Sequence, residues 1–224
     1  MLTSHGQLGD TGEDTGFYFG EVTHPWDALT CAGHAVEFAS PLGGAAPRTR
    51  VKLDDPMDRA FLENAEAVAA IDNTAPLSDI DPSRYDAIHL PGGHGTMWDF
   101  AQDERLGDIV GQIYEQGGLV SAICHGPAGL VNAKLSDGSH LVAGKRLTSF
   151  TDSEEEAVGK AEIVPYLLET ALRERGADYR TVADFDPHVE VDGRLLTGQN
   201  PLSSRLLGNA IVGALRELTL EPVG

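Results

Sequence analysis

The sequence has few of the features that mark several large classes of protein. Only two of its 224 residues are cysteine, so no disulfide framework is expected and a reducing cytoplasm is the expected compartment. No apolar run approaches the ~18 residues of a membrane-spanning helix. The first six residues lack the charged and apolar regions of a signal peptide. These absences are typical of a cytoplasmic globular protein.

Basic residues are also scarce. The chain has 16 Lys and Arg against 35 Asp and Glu, which gives a formal net charge of -19. Nucleic acids and anionic membranes bind clustered positive charge, so neither is an expected partner. A well-solvated surface explains the acidity, and a salt-adapted source is a second interpretation.

The hydrophobic pattern predicts one α/β domain over residues 1–224. Strand-like segments alternate with helical ones, which is typical of a mainly parallel sheet with helices on both faces. The predicted strands cover residues 1–4, 34–40, 85–90, 119–123, 179–183, 188–191 and 195–198, with a hairpin or edge pair over 141–148. The predicted helices cover residues 16–32, 61–70, 103–116, 126–134, 161–175 and 201–218, with a further helix start at 153.

One cysteine stands where such a fold carries its chemistry. Cys124 directly follows the buried strand at residues 119–123, and Gly126 and Pro127 open the next helical pattern. A nucleophile on the tight bend between a strand and a helix forms a nucleophile elbow, here with Cys in place of Ser. Gly126 suits this bend because a larger side chain would crowd it. Pro127 suits the start of the helix because the first helical turn needs no backbone N–H at that position. A helix N-terminus favours thiolate, so the pattern predicts a lowered pKa for Cys124. A buried structural cysteine is the alternative.

Other strand ends are expected beside Cys124, because the site of such sheets lies at the carboxyl ends of the strands. Gly92 and Gly93 end one strand with unobstructed N–H groups. The N–H groups of Gly93 and His125 are therefore candidates to bind an oxyanion and substrate, although a plain tight turn also explains the glycine pair.

A cysteine nucleophile needs a base, and the base needs a group that orients it. His125 is the nearest candidate base, although adjacent side chains on a sharp bend are expected to diverge. The acidic run at residues 154–156 could supply the orienting carboxylate, while a solvated helix start is the alternative for two of its three members. The other histidines are scattered and form no known ligand pattern, so we predict no required metal. No nucleotide-binding fingerprint is present, so no cofactor is predicted.

Five segments carry a resemblance to a known family. They are residues 16–25 (GFYFGEVTHP), 90–99 (LPGGHGTMWD), 122–128 (AICHGPA), 148–155 (TSFTDSEE) and 196–201 (LTGQNP). In this order they resemble the DJ/PfpI superfamily, and within it the small heat-shock chaperone branch of glutathione-independent glyoxalases (glyoxalase III, D-lactate dehydratase).

This resemblance implies a flavodoxin-like three-layer sandwich with a mostly parallel sheet, usually as a homodimer. It implies a lyase that converts methylglyoxal and similar 2-oxoaldehydes to 2-hydroxy acids such as D-lactate, without metal, nucleotide or glutathione. The alternative functions are a stress holdase chaperone or protein deglycase, a PfpI-like cysteine peptidase, and a redox sensor.

The resemblance also implies roles for particular residues. By position, Cys124 is the nucleophile, His125 its partner and Glu155 the third member, with Glu154 as the alternative to Glu155. Glu21 matches the family's buried glutamate beside the cysteine. A buried carboxyl group would have a raised pKa and could share a proton with the thiol. The other interpretation of Glu21 is an exposed residue at a helix start.

Overall fold

The computed structural model describes residues 1–220, which hold ten short strands and eight α-helices. The strands are β1 (Phe17–Tyr18), β2 (Ala39–Ser40), β3 (Arg48–Thr49), β4 (Ala75–Pro76), β5 (Ala87–Leu90), β6 (Leu119–Ile123), β7 (Arg146–Leu147), β8 (Asp178–Tyr179), β9 (Val189–Asp192) and β10 (Leu195–Gly198). The helices are α1 (Gly20–Cys31), α2 (Pro56–Glu63), α3 (Ala65–Asp72), α4 (Thr96–Asp99), α5 (Glu104–Glu115), α6 (Asp152–Ala157), α7 (Leu168–Glu174) and α8 (Ser204–Leu220). Single 3₁₀ segments cover Leu77–Asp79, Pro82–Arg84, Gly126–Leu130 and Pro201–Ser203.

The central sheet has the strand order β5-β6-β10-β9. The first three strands are parallel, and β9 pairs with β10 in the antiparallel sense across the predicted turn at residues 192–193. The parallel pairs β1-β3, β2-β4 and β7-β8 are short additional ladders. The predicted mostly parallel sheet is therefore confirmed.

Strand β6 is buried on both faces. Its residues Leu119 and Ile123 pack in one cluster with residues of α8, whereas Val120 and Ala122 pack in another with residues of α5. Successive side chains of a strand point to opposite faces, so these two clusters lie on opposite sides of the sheet. This double burial explains the unbroken apolar run at residues 119–123 and gives the predicted three layers.

Several helices begin at residues whose side chains accept backbone N–H groups. Asp103 accepts the Leu106 N–H at the start of α5, and Asn64 accepts an N–H of α3 and separates it from α2. Thr151 and Glu154 form a reciprocal capping box at the start of α6. Among the helices of residues 1–220, none combines the length and the hydrophobicity of a membrane-spanning segment.

Some predicted elements are shorter in the structure than the pattern indicated. The segment after Cys124 is five residues of 3₁₀ helix and not a helix to residue 134. The predicted helix at 161–175 forms only as α7, because Pro165 cannot supply a helical N–H. The strand predicted at 1–4 makes no ladder, although the Leu2 N–H donates to the carbonyl of Ala39 in β2 (2.7 Å).

The predicted hairpin or edge pair over residues 141–148 is only partly right. Residues 141–144 form a turn, and β7 follows it without a strand on the other side. Strand β7 pairs instead in parallel with β8, which is more than 30 residues later in the chain. Gly144-Lys145 has the residue types of a hairpin turn, which is why the sequence predicts a hairpin here. Residues 141–143 form no strand that could pair with β7 across that turn.

Candidate active site

The backbone at Cys124 is held in an unusual conformation. Its φ of 57° lies in the left-handed region, which costs a residue with a side chain on the order of 1–3 kcal/mol. The Cys124 N–H donates to the Gly198 carbonyl (2.9 Å), and its own carbonyl accepts the Phe150 N–H (2.8 Å). The strained residue is thus fixed from two sides at the carboxyl ends of β6 and β10, as a nucleophile elbow requires.

Two glycines let the neighbouring strand end approach the elbow closely. A Cβ at Gly126 would collide with the Leu90 carbonyl, which confirms the expectation that a side chain would crowd this bend. A Cβ at Gly92 would lie 2.5 Å from the His125 backbone nitrogen. The turn after β5 therefore packs directly against the turn that carries Cys124.

A hydrogen-bonded chain links the thiol to a carboxylate. The Cys124 sulfur lies 3.2 Å from His125 Nδ1, and His125 Nε2 lies 2.6 Å from Glu155 Oε2. All three residues are buried. The expected divergence of the Cys124 and His125 side chains is therefore wrong, because the strained backbone turns both side chains toward each other.

One carboxylate of the acidic run at residues 154–156 joins the hydrogen-bonded chain from Cys124, and a second forms hydrogen bonds with the structure around it. Glu155 is the residue that contacts His125. Glu154 instead accepts the N–H of Thr151 (3.0 Å), the N–H of Phe185 (2.8 Å) and the amide of Asn200 (2.8 Å). Two of the three glutamates were expected to be solvated, but Glu154 and Glu155 are both buried.

A second histidine contacts Glu155 and was missed in the sequence. His94 Nε2 lies 2.8 Å from Glu155 Oε1, and the rings of His94 and His125 are 4.2 Å apart. His94 directly follows the Gly92-Gly93 turn at the end of β5. The sequence places the end of β5 at the site, so the position of His94 directly after it indicates a site residue. From the sequence, His94 is instead grouped with the scattered histidines.

Glu21 lies in the first turn of α1 and is fully buried. Its Oε2 accepts the Gly92 N–H (2.6 Å), while Oε1 is buried without a hydrogen-bond partner among residues 1–220. Burial raises the pKa of Glu21 to about 8, although the Gly92 N–H and the Cys124 side chain oppose the shift. The predicted burial and raised pKa are confirmed, and Glu21 is a neutral acid at neutral pH.

The predicted lowering of the Cys124 pKa is wrong. Burial, and next the charge of an ionised Glu21, raise the pKa of the thiol well above its ordinary value. The 3₁₀ segment that follows Cys124 is too short to supply a strong helix dipole. The His125 Nδ1 lies beside the thiol and is placed to accept its proton.

Gly93 lies in the turn between β5 and α4. Its φ of 100° is in the region that favours glycine, and a Cβ there would collide with the Gly16 carbonyl. The neighbouring Gly92 packs on the backbone of His125, so the two candidate N–H donors belong to turns in contact. Their binding of an oxyanion stays a prediction.

Two groups of side chains that could ligate a metal ion occur within residues 1–220. One is His94, His125 and Glu155, whose ligand atoms lie within 4.8 Å of one another, and the other is His24, Asp55 and Asp58. Hydrogen bonds within the protein already use atoms of both groups, for example His24 Nε2 to Asp55 Oδ2 (2.9 Å). The absence of a required metal stays a prediction.

Comparison with known proteins identifies the family. The model of the DJ-1/PfpI family matches residues 15–214. The chain belongs to the DJ-1/PfpI family. The resemblance that the five sequence segments carry is thereby confirmed.

Two relatives match nearly the whole chain. Glyoxalase 3 of Candida albicans is 31% identical over 227 residues, which cover 95% of each chain. Glutathione-independent glyoxalase HSP31 of Saccharomyces cerevisiae is 31% identical over 221 residues, with 92% of this chain and 91% of the relative covered.

Two solved structures of similar proteins share the fold. The Rapid Encystment Protein of 24 kDa from Francisella tularensis is 35% identical with a TM-score of 0.92, and the match covers 96% of each chain. Glyoxalase III from Candida albicans is 30% identical with a TM-score of 0.87, and the match covers 95% of this chain and 94% of that one. The flavodoxin-like α/β fold is therefore confirmed.

Proposed function

We propose that this protein is a glutathione-independent glyoxalase that converts methylglyoxal and similar 2-oxoaldehydes to 2-hydroxy acids, with D-lactate as the product from methylglyoxal. The observation that carries the proposal is the continuous contact from the Cys124 sulfur through His125 to Glu155, at 3.2 and 2.6 Å. Relatives named as glyoxalases that match nearly the whole chain support the same reaction. The catalytic residues are Cys124, His125, Glu155 and Glu21.

The first step forms a bond between the sulfur and the aldehyde carbon. His125 Nδ1 accepts the thiol proton as Sγ attacks C1, and ionised Glu155 stabilises the resulting imidazolium. The carbonyl π electrons move to the C1 oxygen, where the N–H groups of Gly93 and His125 bind the developing charge. Transfer of the proton from His125 to this oxygen gives a hemithioacetal and leaves His125 neutral again.

The second step moves a hydrogen from C1 to C2. A base, His125 or Glu21, removes the C1 proton to give an enediolate. A proton is then returned to C2 while the proton of the C1 hydroxyl passes to the C2 oxygen, which leaves a thioester on Cys124. Glu21 is protonated at neutral pH, which favours it as the proton donor and His125 as the base. Water then attacks C1, the C–S bond breaks, and the 2-hydroxy acid and the thiol are released.

Burial of the nucleophile favours a small substrate. Cys124 is 3% exposed, so an extended peptide has little access to the sulfur, whereas a three-carbon dicarbonyl needs little space. A redox sensor needs an exposed thiol of low pKa, and Cys124 has neither property. The alternatives of peptidase and redox sensor are therefore less well supported than the glyoxalase.

The proposed reaction is tested by incubating the protein with methylglyoxal in D₂O without glutathione, followed by chiral analysis and mass spectrometry of the lactate. We expect D-lactate that carries deuterium at C2, because the enediolate is reprotonated by a group that exchanges with solvent. Added glutathione should not raise the rate.

Two outcomes would count against the reaction. No lactate above the level formed without protein would reject the glyoxalase. D-lactate that retains the substrate hydrogen at C2 would mean that the hydrogen removed from C1 is returned without exchange, and would reject Glu21 as a separate, solvent-exchanged proton donor while leaving the overall conversion intact.

A further inference from the structure

Both oxygens of the Glu155 carboxylate contact a histidine. His125 Nε2 lies 2.6 Å from Oε2, and His94 Nε2 lies 2.8 Å from Oε1. The first contact belongs to the proposed catalytic chain. The second comes from another strand end, 61 residues earlier, and the proposed reaction assigns it no role.

His94 is well placed to keep this contact. Its side chain is 19% exposed, and its ring packs 4.2 Å from His125 and 6.4 Å from Phe150. Burial and the nearby His125 lower the pKa of His94 to about 4, so the ring is neutral at working pH and donates through Nε2 when the proton lies there. The titratable groups that face His94 are His125, Glu155 and Lys160. Those that face Cys124 are Glu21 and Glu154.

We propose that His94 is a positioning residue of the glyoxalase reaction, which acts through Glu155 by holding the second carboxylate oxygen. This inference rests on the proposed function. His94 need not touch the substrate. Its donor fixes the plane of the carboxylate, so that the other oxygen stays aimed at His125 while the imidazole gains and loses the thiol proton.

The physical reason is the behaviour of a buried carboxylate with one donor removed. Glu155 is kept ionised by hydrogen bonds from His125 and His94, which together outweigh burial and lower its pKa to about 2. Without His94 one oxygen would be buried and unbonded. The pKa of Glu155 would then rise, and the carboxylate could rotate away from His125.

The test compares three substitutions of His94. Gln can place its amide nitrogen near the position of Nε2, whereas Asn reaches only to the position of Nδ1 and Met has no donor. We expect kcat/KM for methylglyoxal to fall roughly 10- to 100-fold in His94→Met and His94→Asn, by analogy with other residues that orient a functional side chain. His94→Gln should recover most of this loss, and the acidic limb of the pH profile should move to higher pH only in the Met and Asn variants.

A double-mutant cycle shows whether the effect passes through Glu155. In a Glu155→Ala background, His94→Met should cause no further loss, because the group that it positions is gone. An equal fractional loss in both backgrounds would overturn the proposal, and so would a Gln variant as impaired as the Met variant. Melting temperatures of all variants identify any that fail to fold, in which case the Gln–Asn comparison decides.

A second readout does not depend on the glyoxalase activity. The pH dependence of Cys124 alkylation by iodoacetamide, followed by mass spectrometry, reports how readily His125 takes the thiol proton. We expect the alkylation profile of His94→Asn to shift relative to the wild type and that of His94→Gln to match it. If no variant shifts the profile, the positioning role is wrong; if the profile shifts but the wild type makes no lactate, only the proposed reaction is wrong.

Discussion

At the scale of single residues, Glu21 links the candidate site to stability. Its pKa is about 8 in the folded protein and about 4.5 in a chain without structure, so between these values the folded state holds a proton that the unfolded state has released. The contribution of Glu21 to the free energy of unfolding is therefore at its full value below about pH 4.5 and is lost as the pH rises toward 8.

Glu21→Gln should remove this dependence, because glutamine mimics the protonated acid and can still accept the Gly92 N–H. Between pH 5.5 and 7.5 the stability of the wild type should fall relative to the variant by about 1.4 kcal/mol per pH unit. Urea denaturation at several pH values measures the difference. Parallel stability curves for the two proteins would show that Glu21 is ionised in the folded state.

Much of the residue-level site could be predicted from the sequence. Cys124 and its glycine are visible in the elbow pattern, and Glu21 and Glu155 follow from the resemblance. The contact of His94 with Glu155 could not be predicted, because it joins turns 61 residues apart and depends on the packing of both. The raised pKa of Cys124 was missed for a similar reason, since burial outweighs the dipole of a short helical segment.

At the scale of elements, α6 positions Glu155 through its first turn. Thr151 Oγ1 accepts the Glu154 N–H (3.0 Å), and the Glu154 carboxylate reaches back to the Thr151 N–H (3.0 Å). This capping box fixes where the helix begins, and hence which of the two neighbouring glutamates faces His125. A shift by one residue would exchange their places.

Thr151→Ala should lower the free energy of unfolding by about 1 kcal/mol, the usual cost of removing a helix N-cap. Thr151→Ser keeps the hydroxyl and is the matched control. Urea denaturation of both variants measures the effect. Equal stabilities for the Ala and Ser variants would mean that the hydroxyl contributes nothing to the start of α6.

Element types were easier to predict than element bounds. Strand β6 was predicted at its full length, because burial on both faces leaves an unbroken apolar run. The strand predicted at residues 34–40 forms a ladder only at Ala39–Ser40, and the helix predicted at 16–32 begins after the short strand β1. The first and last residues of an element depend on which backbone groups form hydrogen bonds with distant parts of the chain. Side-chain periodicity carries no information about those hydrogen bonds.

At the scale of the whole molecule, we propose that residues 1–224 form a single domain and that two copies associate. The family resemblance supports the homodimer. The cytoplasmic location, which the scarcity of cysteine indicates, stays a separate prediction. Light scattering coupled to size-exclusion chromatography should give twice the mass of one chain at physiological salt. A monomer mass at all accessible concentrations would reject the dimer.

The central proposal is that the Cys124 sulfur carries the reaction, and one comparison tests it most directly. Cys31 is an exposed free cysteine, so Cys31→Ala is a matched control for Cys124→Ala. With methylglyoxal and no glutathione, we expect the rate of D-lactate formation to fall to background in Cys124→Ala and to be unchanged in Cys31→Ala. A Cys124→Ala variant that forms D-lactate within a few-fold of the wild-type rate would contradict the proposal.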